Sequence, residues 1–334
     1  MNRKLRALVT GGAGFIGGHL ASRLVEDGWQ LCIVDNFSRG RRDSFLEKLL
    51  DRSADILLVE GDLTDPKIFE NVDADFTHVF HMAAMLGVKN VIDEPYKTLT
   101  LNSDLLSNVI GFSKTQKKLE RFIFCSTSEV YARSLDTIGL QLPTPEDQLI
   151  VWPDSTQPRS AYAISKLYGE ALVAHSGLPY AIIRPHNVYG PRMGLSHVIP
   201  ELAQKVFVAR AGSEVEVFSA DHTRTFCFID DAVEMLCRVA VSPEANGAIV
   251  NLGSEAPEVT MGNLAALIIR ESGKNLRIKH GAITQGSPLR RCPDMSLMEQ
   301  LTGYRARVSL EDGVNRTLRW YHEAFRNSSM GTTR

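Results

Sequence analysis

Cysteine is scarce in this chain and scattered along it. The five cysteines, Cys32, Cys125, Cys227, Cys237 and Cys292, are odd in number and lack metal-type spacing, so we expect no disulfide framework and no zinc, but reduced thiols in a cytoplasmic setting. No apolar run reaches the roughly 18 residues that a spanning helix needs. The basic start is followed at once by an apolar run broken by glycines and then by His19, which predicts a core strand rather than a secretory leader. A net charge of −2 carries no general attraction to nucleic acid or to an anionic membrane, so the expected partner is a small molecule. Repeats and low-complexity blocks are missing too. What is present, 334 residues of which 44% are hydrophobic, is enough for one large domain or one and a half.

Residues 5–17 carry the organising signal. Ala7, Leu8 and Val9 form a short apolar run, Gly11, Gly14 and Gly17 punctuate the chain just beyond it, and Phe15, Ile16, Leu20 and Leu24 recur at helical spacing. This predicts strand, tight turn, helix. Glycine at 11 permits a turn that a Cβ would block, glycine at 14 admits a diphosphate to the backbone, and glycine at 17 lets the helix close on its strand, its N-terminus facing the anion. A second apolar run, residues 31–34, ends in Asp35, about 20 residues after the turn, where an acid holds a ribose hydroxyl. The stretch therefore predicts a dinucleotide site. Asp35 would meet a 2′-phosphate as a like charge, which favours NAD over NADP. Arg39, Arg41 and Arg42 beyond it read as a solvated polar turn.

Residues 56–59, 78–80, 121–125 and 180–183 read as further strands, with helical stretches between them. One of these holds Leu105, Leu106, Val109 and Ile110 with Asn102 inside it, and another spans 160–175. The alternation predicts an α/β fold built on a doubly wound parallel sheet, whose ligands lie at the C-terminal ends of the strands. Residues 143–158, rich in proline and acid, read as a loop that closes on that end. Beyond Asn187 the rhythm changes to longer helices (200–211, 230–241, 261–271) and short strands (215–218, 248–252). This predicts a smaller mixed α/β C-terminal lobe, with 327–334 as a polar, flexible tail.

Tyr162 and Lys166 stand four residues apart on one predicted helix and so share a face. Bringing a phenol from about 10 to about 7 takes about 4 kcal/mol. One cation at about 4 Å, in an effective dielectric of about 20, supplies energy of that size. The pair thus predicts a phenol tuned to take a proton from a hydroxyl while hydride leaves the same carbon.

Taken together, Thr10-Gly11-x-x-Gly14-x-x-Gly17, Asp35, Asp62-Leu63, Ala83-Ala84, Ser126-Thr127, Tyr162-x-x-x-Lys166 and Arg184-Pro185 resemble the extended short-chain dehydrogenase/reductases. More narrowly, residues 5–323 resemble the nucleotide-sugar epimerases, dehydratases and decarboxylases of that family. The resemblance implies a Rossmann domain over residues 1–186 that holds NAD, and a lobe over 187–326 that mainly holds a nucleoside diphosphate sugar. The chain is allowed to cross back between the two, and a homodimer is implied. Implied cofactor contacts are Gly11, Gly14, Phe15, Ile16, Gly17, Asp35, Asn36, Asp62, Leu63, Ala83, Ala84, Asn102, Tyr162 and Lys166. The implied catalytic group is Thr127, Ser128, Glu129, Tyr162 and Lys166, with Thr127 bonding the sugar hydroxyl, Tyr162 as base and Lys166 on the nicotinamide ribose. Asn187, Arg192, Arg224 and Arg291 match substrate-binding positions, the last two gripping the diphosphate. Taken alone, either of those two arginines reads as a surface ion pair.

The implied reaction is NAD-dependent epimerisation of a nucleoside diphosphate hexose or related sugar, through a transient ketosugar that gives hydride to NAD and takes it back. The alternative is a 4,6- or 5,6-dehydratase, or a UDP-glucuronate-type decarboxylase, that uses Glu129; Thr127-Ser128-Glu129 resembles the triplet of such enzymes. Glu129 also reads as a structural carboxylate near a strand end. A non-catalytic NAD-binding regulator has no need of the Tyr162–Lys166 pair. Ala132 stands in place of the usual glycine, a departure that bears on local loop geometry rather than chemistry, while the apolar Met85-Leu86-Gly87 departs from common glucose epimerases and points to an unusual sugar.

Overall fold

The computed structural model describes residues 4–72, 75–284 and 287–330. In the first half of the chain, strands β1 (Arg6–Thr10), β2 (Gln30–Asp35), β3 (Ile56–Glu60), β4 (His78–His81), β5 (Arg121–Cys125) and β6 (Tyr180–Pro185) alternate with helices. These helices are α1 (Phe15–Glu26), α2 (Ser44–Leu50), α3 (Val88–Asp93), α4 (Pro95–Lys114), α5 (Ala132–Thr137) and α6 (Ser160–Ala174). The remaining strands are mostly shorter: β7 (Val188–Tyr189), β8 (Glu214–Val217), β9 (Thr223–Arg224), β10 (Cys227–Phe228), β11 (Ala248–Leu252), β12 (Val259–Thr260), β13 (Arg277–His280) and β14 (Arg290–Arg291). Between and after them lie α7 (Val198–Val208), α8 (Ile229–Val241), α9 (Met261–Ser272), α10 (Ser296–Thr302) and α11 (Leu310–Met330).

Seven strands form one sheet in the order β3-β2-β1-β4-β5-β6-β11, and every neighbouring pair is parallel. Alternate residues of each strand feed opposite faces, as the two-residue period of a strand requires. Ala7, Val9, Ile33, Phe80 and Ile183 pack with Leu20 and Leu24 of α1 and Leu236 of α8. Leu8, Val34, Val79, Phe124 and Ile182 pack with Leu105 and Val109 of α4 and Val173 of α6. The expected α/β architecture, a doubly wound parallel sheet, is thus present. No helix among the described residues is long and apolar enough to cross a membrane.

Two sequence-based placements change. Residues 248–252, read as a strand of the smaller lobe, form β11 at the edge of the main sheet, where they pair with β6 and bury Val250, Asn251 and Leu252. Helix α8 likewise returns to pack on α1. Both moves have one cause: each is an apolar segment that finds a larger buried face on the main sheet than the short strands of the lobe offer. The lobe itself contains the pairs β7–β10 and β8–β13, the trio β12-β9-β14, and helices α7, α9 and α11 packed on one another. Helix α11 continues through residues 327–330 of the expected tail, and residues 331–334 lie outside the described residues.

One buried ion pair joins the catalytic helix to the strand ends. Glu170 of α6 accepts from Arg184 of β6 at both oxygens, 2.9 Å from Nε and 2.7 Å from Nη2, and both side chains are buried. Ser126, just past β5, donates to the same carboxylate at 2.6 Å, and Arg184 Nη1 donates to the Tyr131 hydroxyl at 2.7 Å. A buried charge stripped of its partner is costly. Glu170→Ala is therefore expected to lose about 3–5 kcal/mol of stability, seen as a lower denaturant midpoint at unchanged slope. A midpoint equal to that of the unaltered protein would show that the pair does not hold these elements.

Candidate active site

The glycine turn is built as a cradle. Gly11 adopts φ +69°, and a Cβ there would come within 2.8 Å of the Ala83 nitrogen. A Cβ on Gly17 would land on the Gly11 carbonyl oxygen. Gly14 caps α1 without any side-chain bond, which leaves the first amides of the helix to an anion. Phe15 and Ile16 form the first turn of α1, and both are partly buried. The residues present thus fit the diphosphate of a dinucleotide.

At the end of β2, Asp35 is buried and accepts from the amides of Ala13 at 3.0 Å and Phe37 at 2.8 Å. Each carboxylate oxygen keeps a lone pair, enough for ribose hydroxyls. Asn36 donates to Asp62 at 3.2 Å, and Asp62 is held below its ordinary range chiefly by the Thr64 amide. Leu63 turns its side chain into the core, and its carbonyl accepts from Asn108. Ala83 and Ala84 follow β4, where the Ala83 amide donates to Thr10 at 3.3 Å.

The resemblance places Asn102 at the cofactor. The structure instead engages its amide on the protein: Oδ1 accepts from the Met85 amide at 2.7 Å, and Nδ2 donates to the Met85 carbonyl and to Ser165. It fixes the loop after β4 to α6. Arg192, expected at the substrate, lies elsewhere as well. It is buried, pairs with Asp43 at 2.8 Å, and donates to the carbonyls of Ala13 and Gly14 from behind the glycine turn. A buried guanidinium needs a counter-charge and acceptors, and the turn supplies them.

The chemistry-bearing side chains meet where β5 ends. Thr127 accepts from the Glu129 amide at 3.2 Å and favours the ionised form of the Tyr162 phenol, while Ser128 is buried. Lys166 is buried, donates to the Cys125 carbonyl at 2.6 Å, and lies 5.8 Å from the centre of the Tyr162 ring. The expected drop of the Tyr162 pKa under Lys166 is not what this enclosed site shows. Burial pushes the phenol well above its usual range, and Cys125 and Glu129 push it the same way, against Arg39 and the Thr127 bond. Lys166 is itself held below its usual range by burial, with its ammonium turned toward a carbonyl.

On the lobe side, β9 and β14 pair so that Arg224 and Arg291 stand directly opposite each other. Arg224 is buried, donates to the carbonyls of Thr223 and Pro288 at 2.6 Å each, and is lowered to about 10 by burial and then by Arg291. It thereby braces the segment leading to Arg291. Asn187 adopts φ 42° and donates to the Thr225 carbonyl at 2.9 Å, which ties the end of β6 to the same segment. Arg291, Ser128 and His186 line one cavity, walled also by Leu135, Leu140 and Leu142. The loop over residues 143–158 bonds the ends of β6 and β11 through Thr144 and Glu146.

Three site residues escaped the sequence reading. His197, at the start of α7, lies within electrostatic reach of Glu129 and Arg39. Cys125 acts electrostatically on both Tyr162 and Lys166, and its carbonyl accepts from Lys166. His186, neutral and lowered to about 3 by burial, bonds Asn251 at 3.1 Å. Cys125 was detectable as the last residue of a strand that delivers Ser126-Thr127; the two histidines carry no spacing signal.

Comparison with known proteins agrees with this geometry. The pattern of the NAD dependent epimerase/dehydratase family matches residues 7–253. A UDP-N-acetyl-alpha-D-glucosaminuronate decarboxylase of Bacillus cytotoxicus is 32% identical over 96% of this chain and 98% of its own. UDP-glucuronic acid decarboxylase 4 of Arabidopsis thaliana is 31% identical over 93% of this chain and 67% of its own. Among solved structures, the UDP-glucose 4-epimerase of Thermotoga maritima superposes with a TM-score of 0.81 at 26% identity, over 96% of this chain and 100% of that one. The glycine cradle, the Tyr162–Lys166 pair and these likenesses converge: the chain belongs to the NAD-dependent epimerase/dehydratase family, the nucleotide-sugar group of the extended short-chain dehydrogenase/reductases.

Proposed function

We propose that the protein oxidises C4 of a nucleoside diphosphate-linked uronic acid and releases the C6 carboxylate as carbon dioxide. When bound, NAD supplies the acceptor for the C4 hydride and its return. Thr127 orients the C4 hydroxyl, and Tyr162 takes its proton as the hydride leaves. The carboxylate is then β to a ketone. The C5–C6 bond breaks, its electron pair passes to the C4–C5 enolate, and Glu129 relays a proton from solvent to C5. Arg291, in the cavity shared with Ser128, grips the diphosphate, the role the resemblance gives it. Tyr162 returns its proton to the alcohol that forms at the end.

The observation that carries this reading over epimerisation is Glu129. An epimerase inverts its ketosugar and takes hydride back on the other face, which asks for no further base. Here a carboxylate acts electrostatically on the phenol. Similarity along nearly the whole chain to a UDP-sugar acid decarboxylase supports the same choice. Epimerisation is the second reading, favoured by the likeness to a UDP-glucose 4-epimerase. A homodimer is part of the proposal, with Tyr96 of α4 and Tyr168 of α6 as exposed aromatics on two helices that pack together.

Mass spectrometry of the product separates the readings. We expect loss of carbon dioxide from a UDP-linked uronic acid; a product of unchanged mass would establish epimerisation, and loss of water a dehydratase. Tyr162→Phe is expected to slow turnover by about 10²–10⁴-fold. Glu129→Gln should still form NADH in a single turnover while final product falls by a similar factor of about 10²–10⁴. Unaltered product formation by this second variant would remove Glu129 from the mechanism.

A further inference from the structure

The sheet order sets β1 between β2 and β4. Any side chain that reaches from the loop after β2 to the loop after β4 must therefore cross over the glycine turn that succeeds β1. Arg39 does this. Its loop is seated on the turn: the Arg41 amide donates to the Ala13 carbonyl at 3.3 Å, and a Cβ on Gly40 would stand 2.8 Å from both Asp35 Oδ1 and Ala13 Cβ. From there Arg39 Nη1 donates to the Leu86 carbonyl, beyond β4.

The far side is shaped to receive it. Arg39 Nη1 lies 3.0 Å from where a Cβ on Gly87 would be, and Nη2 lies 3.7 Å from the same point on Gly194 of the lobe. Arg39 is exposed on its outer side, and its charge is felt at Tyr162 and His197. Arg42, three residues on, is neutralised by Glu60, whereas Arg39 has no carboxylate partner among the described residues. The turn that its loop sits on leads into α1, whose first amides have no side-chain cap. An anion on the turn would thus be flanked by a helix N-terminus on one side and a guanidinium with unused donors on the other.

We propose that Arg39 is a cofactor-binding residue, a strap that closes over the diphosphate of bound NAD and must leave Leu86 before the dinucleotide can exchange. The inference rests on membership of an NAD-dependent family and stands whichever sugar reaction the enzyme performs. It gives a role to one residue of a turn that the sequence reads as solvated and that is exposed.

The test is the rate at which NADH leaves the full-length protein, followed by fluorescence after mixing with excess NAD, at low and high salt. Loss of charge-assisted hydrogen bonds predicts release about ten- to a hundredfold faster in Arg39→Gln than in the unaltered protein. Arg39→Lys should fall between, Arg42→Gln should leave the rate unchanged, and high salt should narrow the gap. Because Arg39 is exposed on its outer side, thermal melting without added nucleotide should not shift in Arg39→Gln. A release rate in Arg39→Gln within twofold of the unaltered protein, or equal acceleration by Arg42→Gln, would overturn the proposal. The mass of the sugar product plays no part in this readout, so a failure here is distinct from a failure of the decarboxylase reading.

Discussion

The site depends on the ion pair between Glu170 and Arg184, because it makes α6 and the ends of β5 and β6 a single body. Tyr162, Lys166 and Glu170 succeed one another at four-residue steps along α6, so fixing Glu170 fixes the face that carries the phenol and the ammonium. Glu170 also takes the Ser126 hydroxyl, which sets the start of Ser126-Thr127-Ser128-Glu129. Through Tyr131 and Asn251, whose contact is 3.1 Å, the same network reaches the edge strand β11 and His186. Such a network adds little net stability over an apolar replacement. What it supplies is geometry, in a region where a misplaced phenol would fail as a base.

Burial explains why the site is poised rather than active in itself. Removing Tyr162 from water disfavours the phenolate, and Glu129 deepens the penalty; Arg39 opposes it. If NAD were held by the glycine cradle, its oxidised nicotinamide would supply positive charge in the site, with Lys166 and Tyr162 as the residues that would meet it. On the proposed mechanism, proton transfer from the sugar hydroxyl would then be favoured only with the hydride acceptor in place.

Much of this was legible in the sequence where the signal is local. The glycine turn and the Tyr162–Lys166 pair depend on spacing within one turn or one helix, Asp35 on the next strand of the same βαβ unit, and the fold sets all three where the spacing puts them. Residues whose role depends on long-range packing were misread or missed. Asn102 has the chemistry of a ligand contact and serves Met85 and Ser165, brought near only by the sheet. Arg39 has the surroundings of a surface turn in sequence, and its partner Leu86 lies 47 residues away. The strand β11 had the right pattern, but no property of residues 248–252 says which sheet they join.

Arg192 shows why the two lobes cannot be treated as separate binding units. It comes after the last strand of the sheet's first half, yet it reaches back 178 residues to the Gly14 carbonyl and pairs with Asp43 before α2. Gly18 has no room for a side chain because the Arg192 guanidinium lies against it. The residue holds φ at 68°, an uncommon conformation for a side chain of this size, so packing on both sides over-determines it. The floor of the dinucleotide turn is thus supported by the segment that leads into the substrate lobe. A displacement of that segment would therefore be felt at the Ala13 and Gly14 carbonyls, because one guanidinium holds both to Asp43.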